Sequence, residues 1–170
     1  MKIEKSNLKL KTLNKFSHIN KKNHPKMVNV GDKKMTNRAA TAKATMFLGS
    51  EIIVHFDDKE LITKKGPVFQ TAIIAGIQAV KKTSELIPMC HPLLINGVDI
   101  DIEICDKENI EIVCTVSIEG KTGVEMEALT GATIAALTVY DMCKSISQKM
   151  VIKEVKLVKK SGGKSDIKNE

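Results

Sequence analysis

Two neighbouring stretches of the chain alternate apolar and polar residues, a period typical of half-buried β-strands. Residues 97–105, "GVDIDIEIC", place acidic side chains on one face and isoleucines on the other, and residues 109–118, "NIEIVCTVSI", repeat the alternation. The polar segment "DKEN" (106–109), whose asparagine also begins the second stretch, fits a hairpin turn. We therefore predict two antiparallel strands with one face buried.

Longer segments with a period near 3.6 residues predict two helices. The first spans residues 69–86, and the second runs from about residue 123 to about residue 147. Further strands are predicted at 38–48 and 151–160, which gives the order β-α-β-β-α-β. That order predicts an α+β, ferredoxin-like fold, with one antiparallel sheet and helices packed on one of its faces.

The second predicted helix is apolar on all sides over thirteen residues, because Ala128 to Tyr140 include no charged side chain. Such a helix is buried on more than one face, so we expect a second subunit to cover it. Asp141 and Lys144 follow, and their spacing fits either a helix-end ion pair or a functional pair. Apolar neighbours would raise the pKa of Asp141 and Lys144 would lower it, which predicts proton exchange near neutral pH.

The net charge of +7 comes entirely from the first 26 residues, which contain eight lysines and one acidic residue, Glu4. The remainder of the chain has no excess positive charge, which argues against a nucleic-acid partner. We predict a basic, disordered arm at 1–16, a single domain at 17–165 and a flexible tail at 166–170. No apolar run is long enough for a membrane span and no secretory signal is evident, so we expect a cytoplasmic protein with reduced cysteines.

The segment "KTSELIPMCHPL" (82–93) places Cys90 and His91 between two prolines. Pro88 and Pro92 each restrict the preceding residue to extended geometry, so we interpret the segment as a rigid arm that aims the pair at a ligand. The alternative is a helix end followed by a buried histidine whose hydrogen bonds are satisfied.

Two glycine–lysine stretches, "GKTG" (120–123) and "SGGKS" (161–165), could contact a phosphate. Neither is a P-loop, because another residue stands where the first P-loop glycine belongs. The alternatives are a hairpin turn for the first and a frayed tail for the second. The adjoining "TGVE" also fits a capping box, with Thr122 as N-cap and Glu125 reaching back to it.

The stretches "KKTSELIPMCHPL", "GKTGVEMEALTGATIAALTVYDMCK" and "KSGGKS", in this order and spacing, resemble the molybdenum cofactor biosynthesis protein C family, the cyclic pyranopterin monophosphate synthases. The segments "HIN" (18–20) and "MVNV" (27–30) match the family's N-terminal opening, and the similarity spans about residues 17 to 165. The resemblance implies a ferredoxin-like subunit assembled as a homohexamer, a trimer of dimers, with active sites at subunit interfaces.

The reaction implied by the resemblance converts (8S)-3',8-cyclo-7,8-dihydroguanosine 5'-triphosphate, here cyclic dihydro-GTP, into cyclic pyranopterin monophosphate and pyrophosphate. The purine ring opens and is rebuilt as a pterin, and a sugar hydroxyl attacks the α-phosphate. Such chemistry needs general acids and bases, and cations for the triphosphate. No cofactor is expected to be required, although Mg²⁺ could accompany the triphosphate substrate.

The resemblance also implies individual roles. Asp141, Lys144 and Lys65 match the catalytic residues of the family. The positions that match substrate contacts or pocket-lining residues are Met89, Cys90, His91, Glu125, Met126, Glu127 and Lys160. Four positions depart from the usual family pattern, namely Asn29, Pro67, Ile73 and Glu119. Ile73 removes a cation, which bears on substrate affinity rather than on the type of reaction.

Glu127 and Asp141 are fourteen residues apart, about 21 Å along one helix, so one small ligand is not expected to contact both from a single chain. An interface site formed by two copies would resolve this. Two other functions stay open. One is a non-catalytic, ferredoxin-like nucleotide-binding module, and the other is a metalloenzyme that uses His91, Cys90 and Cys143, although these lack the usual ligand spacing.

Overall fold

The computed structural model of the chain describes residues 18–20, 22–57 and 60–169. The predicted basic arm at 1–16 lies outside the described residues. In chain order the elements are β1 (Thr36–Phe47), α1 (Ser50–Ile53), β2 (Ile62–Thr63), β3 (Gly66–Pro67), α2 (Val68–Lys81), α3 (Thr83–Leu86), β4 (Gly97–Ile104), β5 (Asn109–Gly120), α4 (Glu125–Cys143), β6 (Val151–Ser161) and β7 (Ile167–Lys168).

The main sheet has five antiparallel strands in the order β4-β5-β1-β6-β7. Its central pair, β1 and β5, is in register throughout, from Thr36 opposite Gly120 to Phe47 opposite Asn109. Along β1, every second side chain from Ala40 to Met46 is buried. Most of these side chains are alanines, which lets the helices approach the sheet closely.

The strand β6 pairs with β1 through two register shifts, opposite Thr41/Ala42 and Thr45/Met46. Each shift adds one residue to β6, so its core-facing side chains are unevenly spaced: Ile152, Val155, Leu157 and Lys160. These four lie opposite buried residues of β1, and the three apolar ones pack against the core. The shifts therefore place Lys160 on the helix-covered face of the sheet.

The helices α2 and α4 cover this face and cross each other at two glycines. A Cβ on Gly131 would lie 2.6 Å from Cys114 Sγ and 2.7 Å from Val80 Cγ2. A Cβ on Gly76 would lie 2.6 Å from Ile100 Cδ1 and 3.0 Å from the Gly131 carbonyl oxygen. The crossing leaves no room for a larger side chain, so it fixes α4 against both α2 and the sheet.

The predicted strands, the two predicted helices, their order and the ferredoxin-like class are confirmed. The bounds of both helices differ from the prediction. The first helix ends at Lys81, because Lys82 leaves helical geometry (φ −107°, ψ 8°) before the separate short helix α3. The second begins at Glu125 and ends at Cys143, so it is shorter at both ends. The short elements α1, β2 and β3 were not predicted.

The capping box considered as an alternative at Thr122 does not form. The residue before α4 is Val124, and it makes no side-chain capping hydrogen bond. Glu125 instead pairs with Lys160, whose Nζ lies 3.1 Å from Glu125 Oε1. By contrast, the extended geometry predicted before Pro88 is confirmed, since Ile87 has φ −117° and ψ 104°.

The strand β7 lies within the predicted tail at 166–170 and pairs with the end of β6, where Lys168 is opposite Lys159. The flexibility of this tail stays a prediction. None of the helices in the described part of the chain is long and apolar enough to cross a membrane.

Candidate active site

Several separated segments meet in a cavity of about 480 Å³ at the first turn of α4, which we call the pocket. Six of the seven side chains implied as substrate contacts line it: Met89, Cys90, His91, Glu125, Met126 and Glu127. The seventh, Lys160, is connected to it through the ion pair with Glu125. The structure therefore brings the loop before β4 and the start of α4 together, as the resemblance implied.

The predicted rigid arm leads to His91, whose ring is held by a backbone hydrogen bond. His91 Nε2 lies 2.8 Å from the Val28 carbonyl oxygen, which can only accept, so Nε2 carries the hydrogen and donates it. In the neutral ring, Nδ1 is then the acceptor. Cys90 beside it is half-buried, and burial raises the pKa of its thiol. At neutral pH this thiol is protonated and therefore a weak nucleophile.

Glu125 and Glu127 line the same pocket in different electrostatic settings. Glu127 is only 4% exposed, and burial raises its pKa, with the nearby Glu125 carboxylate adding to the effect. The charge of Glu125 is offset by the ammonium group of Lys160. Glu127 can thus donate a hydrogen bond when protonated and accept one when ionised.

The three residues implied as catalytic meet at the last turn of α4. Lys65 Nζ lies 2.6 Å from Asp141 Oδ2 and 2.9 Å from the Asp141 backbone oxygen. Lys144 Nζ lies 2.7 Å from Asp141 Oδ1. Each carboxylate oxygen therefore accepts a hydrogen bond from a different lysine. We call these three residues the lysine–aspartate cluster.

The β2–β3 hairpin brings Lys65 to this cluster. The hydroxyl of Thr63 closes the hairpin turn, donating to the Gly66 carbonyl (3.1 Å) and accepting from the Lys65 backbone N–H (3.1 Å). Gly66 has φ 111°, a conformation that favours glycine. The Glu60 carboxylate accepts a hydrogen bond from the Phe69 backbone N–H (2.9 Å) and so ties the start of the hairpin to the first turn of α2.

Hydrogen bonds from Lys144, and then from Lys65, lower the pKa of Asp141 to about 2. Asp141 in turn raises the pKa of Lys144. The predicted proton exchange by Asp141 near neutral pH is therefore wrong. The apolar neighbours Val139 and Met142 are buried in the core, whereas the Asp141 side chain is 53% exposed, so desolvation is weak at the carboxylate.

The pocket and the lysine–aspartate cluster lie at opposite ends of the 19-residue helix α4. A helix of that length spans about 28 Å, so one copy of the chain does not bring the two sites together. This agrees with the separation inferred from the sequence for Glu127 and Asp141. An active site shared between two copies stays a prediction.

The three residues considered for a metalloenzyme are also separated. Cys143 is buried at the end of α4, where burial raises the pKa of its thiol to about 11. Cys90 and His91 line the pocket at the other end of the helix. Within residues 18–20, 22–57 and 60–169, no group of three or more His, Cys, Asp and Glu side chains could hold a metal ion.

Three basic side chains line the pocket although they are not among the predicted site residues: His18, Lys33 and Lys164. His18 begins "HIN", whose Asn20 side chain accepts hydrogen bonds from two backbone N–H groups at 2.8 and 3.0 Å and so stabilises a turn. Lys164 belongs to "SGGKS", and Gly123 of "GKTG" also lines the pocket. Both stretches were recognisable as possible phosphate contacts, but nothing in their spacing indicated that they would meet.

The sequence matches the profile of the MoaC family over residues 27–163. It is 54% identical over 153 residues to the cyclic pyranopterin monophosphate synthase of Campylobacter jejuni subsp. jejuni serotype O:23/36 (strain 81-176), covering 89% of this chain and 96% of that protein. The protein of the same name from Peptoclostridium acidaminophilum is 47% identical over 150 residues, covering 88% of this chain and 94% of that protein. Molybdenum cofactor biosynthesis protein 1 of Dictyostelium discoideum is 48% identical over 169 residues, which cover 89% of this chain but 27% of that larger protein. The resemblance seen in the sequence is confirmed, and the chain belongs to the MoaC family.

Proposed function

We propose that this protein is a cyclic pyranopterin monophosphate synthase, a lyase of molybdenum cofactor biosynthesis. Two relatives with about half of their residues identical carry that name and are covered over nearly their whole length. The observation that carries the proposal is the pocket, where Met89–His91 and Glu125–Glu127 meet. The substrate is cyclic dihydro-GTP, and the products are cyclic pyranopterin monophosphate and pyrophosphate.

The pocket suits the purine part of this substrate. Glu127 can pair with ring N–H groups when ionised and with a ring carbonyl or nitrogen when protonated. His91 adds a second polar contact whose orientation is set by Val28. Met89 and Met126 supply polarisable, apolar surface for a flat ring. A mostly apolar lining with a few oriented polar groups is typical of small-molecule sites.

The lysine–aspartate cluster suits the phosphate chemistry. Because Asp141 stays ionised at neutral pH, it can act as a fixed acceptor that orients Lys65 and Lys144. The two ammonium groups would stabilise the charge on the α-phosphate oxygens while the sugar hydroxyl attacks and pyrophosphate leaves. The raised pKa of Lys144 favours its protonated form, which suits a cation or general acid better than a base.

The pocket and the cluster act on one substrate when the cluster of one copy faces the pocket of another. This requires at least two copies, and the assembly that we propose is the one implied by the family resemblance, a homohexamer formed as a trimer of dimers with active sites at subunit interfaces. Exposed apolar side chains on the helical face support a subunit contact there: Ile74 (63% exposed), Leu86 (58%) and Leu137 (49%). Light scattering on the purified protein tests the assembly, and a stable monomer at micromolar concentration would contradict it.

General acids, bases and cations suffice for the proposed reaction, so we propose that no resident cofactor is required and that Mg²⁺ enters only with the triphosphate. Turnover by EDTA-treated protein, with and without added Mg²⁺, tests this. We further propose that the enzyme works in the cytoplasm without a nucleic-acid or membrane partner, which cell fractionation followed by immunodetection tests.

The deciding experiment is incubation of the purified protein with cyclic dihydro-GTP, with cyclic pyranopterin monophosphate and pyrophosphate measured over time. We expect the two products in equal amounts. The competing function is a non-catalytic nucleotide-binding module, which would bind the substrate and leave it unchanged. Binding without turnover would therefore contradict the enzyme and support the module.

A further inference from the structure

The pocket is lined by two lysines that have no role in the proposed mechanism, one from the N-terminal part of the chain and one from the C-terminal part. Lys33 precedes β1, and Lys164 follows β6. Both side chains are exposed, and neither forms an ion pair with a carboxylate in the described part of the chain. This distinguishes them from Lys160, whose charge Glu125 already offsets.

The backbone that carries Lys33 is held over the pocket at several points. We call residues 27–33 the strap. His91 Nε2 donates to the Val28 carbonyl at 2.8 Å, and Lys121 Nζ donates to the Gly31 carbonyl. The Lys33 backbone N–H donates to the Val30 carbonyl at 3.1 Å, which closes a turn at the end of the strap. Lys33 is thus presented by a fixed segment.

The backbone that carries Lys164 is fixed against β1. Gly162 has φ 79°, and a Cβ there would lie 1.9 Å from the Asn37 carbonyl oxygen, so only glycine fits. The Thr36 hydroxyl donates to the Gly162 carbonyl at 2.9 Å, and the Gly162 N–H donates to Asp166 Oδ1 at 3.1 Å. The "SGGKS" stretch is therefore a built turn beside the pocket.

The acids of the pocket leave the charge of these lysines largely uncompensated. Glu125 is paired with Lys160, and burial of Glu127 disfavours its ionised form. Two lysine side chains that line one cavity without ion-pair partners are complementary to an anion with several charged oxygens. The chemistry of a polyphosphate meets that requirement, whereas a neutral base or sugar does not.

We propose that Lys33 of the strap and Lys164 of the C-terminal turn bind the triphosphate of the substrate. This inference rests on the proposed function. It assigns to the two lysines a role in substrate binding, distinct from the role of the lysine–aspartate cluster at the reacting phosphorus atom. Different parts of the pocket would then bind different parts of the substrate, with Glu127 at the purine and the two lysines at the phosphates.

The test uses the full-length variants Lys33→Gln and Lys164→Gln and the double variant. Lys34→Gln and Lys168→Gln are matched controls, since both side chains are exposed and neither lines the pocket. We expect each pocket variant to raise KM for cyclic dihydro-GTP about 10-fold and the double variant about 100-fold, with kcat within about 3-fold of the parent. The affinity for inorganic tripolyphosphate, measured by calorimetry, should fall in parallel.

Three outcomes would overturn the inference. The parent protein could fail to bind tripolyphosphate, the pocket variants could bind it as well as the controls do, or the variants could lose kcat with an unchanged KM. Failure of the proposed function looks different. A protein that binds tripolyphosphate in a manner dependent on Lys33 and Lys164, but does not convert cyclic dihydro-GTP, retains the phosphate site and loses only the enzymatic assignment.

Discussion

The two ends of α4 carry acidic side chains whose pKa values are shifted in opposite directions. At the first turn, Glu127 is almost fully buried, and burial raises its pKa. At the last turn, Asp141 is half exposed, and Lys144 and Lys65 lower its pKa to about 2. The exposure and partners of a carboxylate therefore decide its chemistry, whereas the apolarity of its sequence neighbours does not. One end suits a carboxyl group that can hold a proton, and the other suits a permanent anion that orients cations.

The strongest test of this contrast replaces Asp141 with Asn. We expect turnover of cyclic dihydro-GTP to fall at least ~100-fold, because the amide no longer orients two ammonium groups. The melting temperature should stay close to that of the parent, since exposed ion pairs contribute little to stability. Asp141 raises the pKa of Lys144, so the basic limb of the remaining pH–rate profile should move to lower pH.

Asp99→Asn serves as the control, because this aspartate is exposed on β4 and remote in sequence from the cluster. Steady-state rates across a pH series and thermal melts give the required measurements. Near-normal turnover in Asp141→Asn would falsify the catalytic assignment of the cluster. An unmoved basic limb would instead argue that Asp141 does not act through Lys144.

A second change acts on the middle of α4, between the two sites. Gly131→Ala places a Cβ 2.6 Å from Cys114 Sγ and 2.7 Å from Val80 Cγ2. We expect a loss of about 1–3 kcal/mol in the free energy of unfolding, because the helix crossing is already close-packed. Urea denaturation measures it. Gly163→Ala is the control, since its new Cβ has no neighbour closer than 3.7 Å. Equal stability of the two variants would contradict the close crossing.

Glu127→Gln tests the raised pKa of the carboxyl group at the first turn of α4. We expect kcat/KM to fall about 10-fold, because the amide cannot replace a carboxyl group in both protonation states. The thermal stability should rise relative to the parent, by an amount that grows with pH. Burial raises the folded-state pKa of Glu127, so the parent loses stability as pH rises from the ordinary glutamate value through that raised pKa. The amide does not have this loss.

Thermal melts of Glu127→Gln and of the parent across a series from about pH 4 to about pH 8 measure this difference, because the ordinary glutamate pKa lies near the lower limit. Glu85→Gln provides the comparison, since Glu85 is exposed. A difference in melting temperature that stays constant over the series would show that Glu127 titrates alike in the folded and unfolded chain.

The smallest effect is expected at Cys90. Burial raises the pKa of its thiol, so it stays protonated, and Cys90→Ser should change turnover less than ~3-fold, under about 1 kcal/mol in the barrier. Peptide mass spectrometry after brief iodoacetamide treatment should show less alkylation at half-buried Cys90 than at exposed Cys105. A large loss of turnover in the serine variant, or preferential alkylation of Cys90, would indicate a reactive thiolate.

The fold was predictable where a regular period reports a buried face. The alternation in β4 and β5 matches the buried positions from Ile100 to Ile118. The short helix α1 and the β2–β3 hairpin gave no such signal, because elements of two to four residues are too short for a hydrophobic period to repeat. The start of α4 was predicted at about residue 123, whereas the helix begins at Glu125. The capping box considered there does not form, because Glu125 pairs with Lys160.

Most residues of the site could be predicted from the sequence, but the charge states of its acidic groups could not. The resemblance named the residues that the structure gathers in the pocket and in the lysine–aspartate cluster. Lys144, the largest cause of the lowered pKa of Asp141, was visible in the sequence, but two further features were not. Lys65 lies 76 positions away and reaches Asp141 through the hairpin, and the Asp141 side chain is exposed rather than desolvated. Lys33 was missed for a related reason, since no local pattern indicates that a strap will cover a distant helix end.

At each of its two register shifts, β6 contains a residue that has no partner in β1, so the strand is two residues longer than regular pairing requires. Each shift contains one residue more than regular pairing needs, so losing a residue there would straighten the strand. With Val158 deleted and regular pairing restored, Lys160 would still lie opposite Ala40 and still face Glu125. In a strand without such a shift, the loss of one residue would turn every later side chain to the opposite face of the sheet. The loss of one residue at either shift therefore leaves the charge balance of the pocket unchanged.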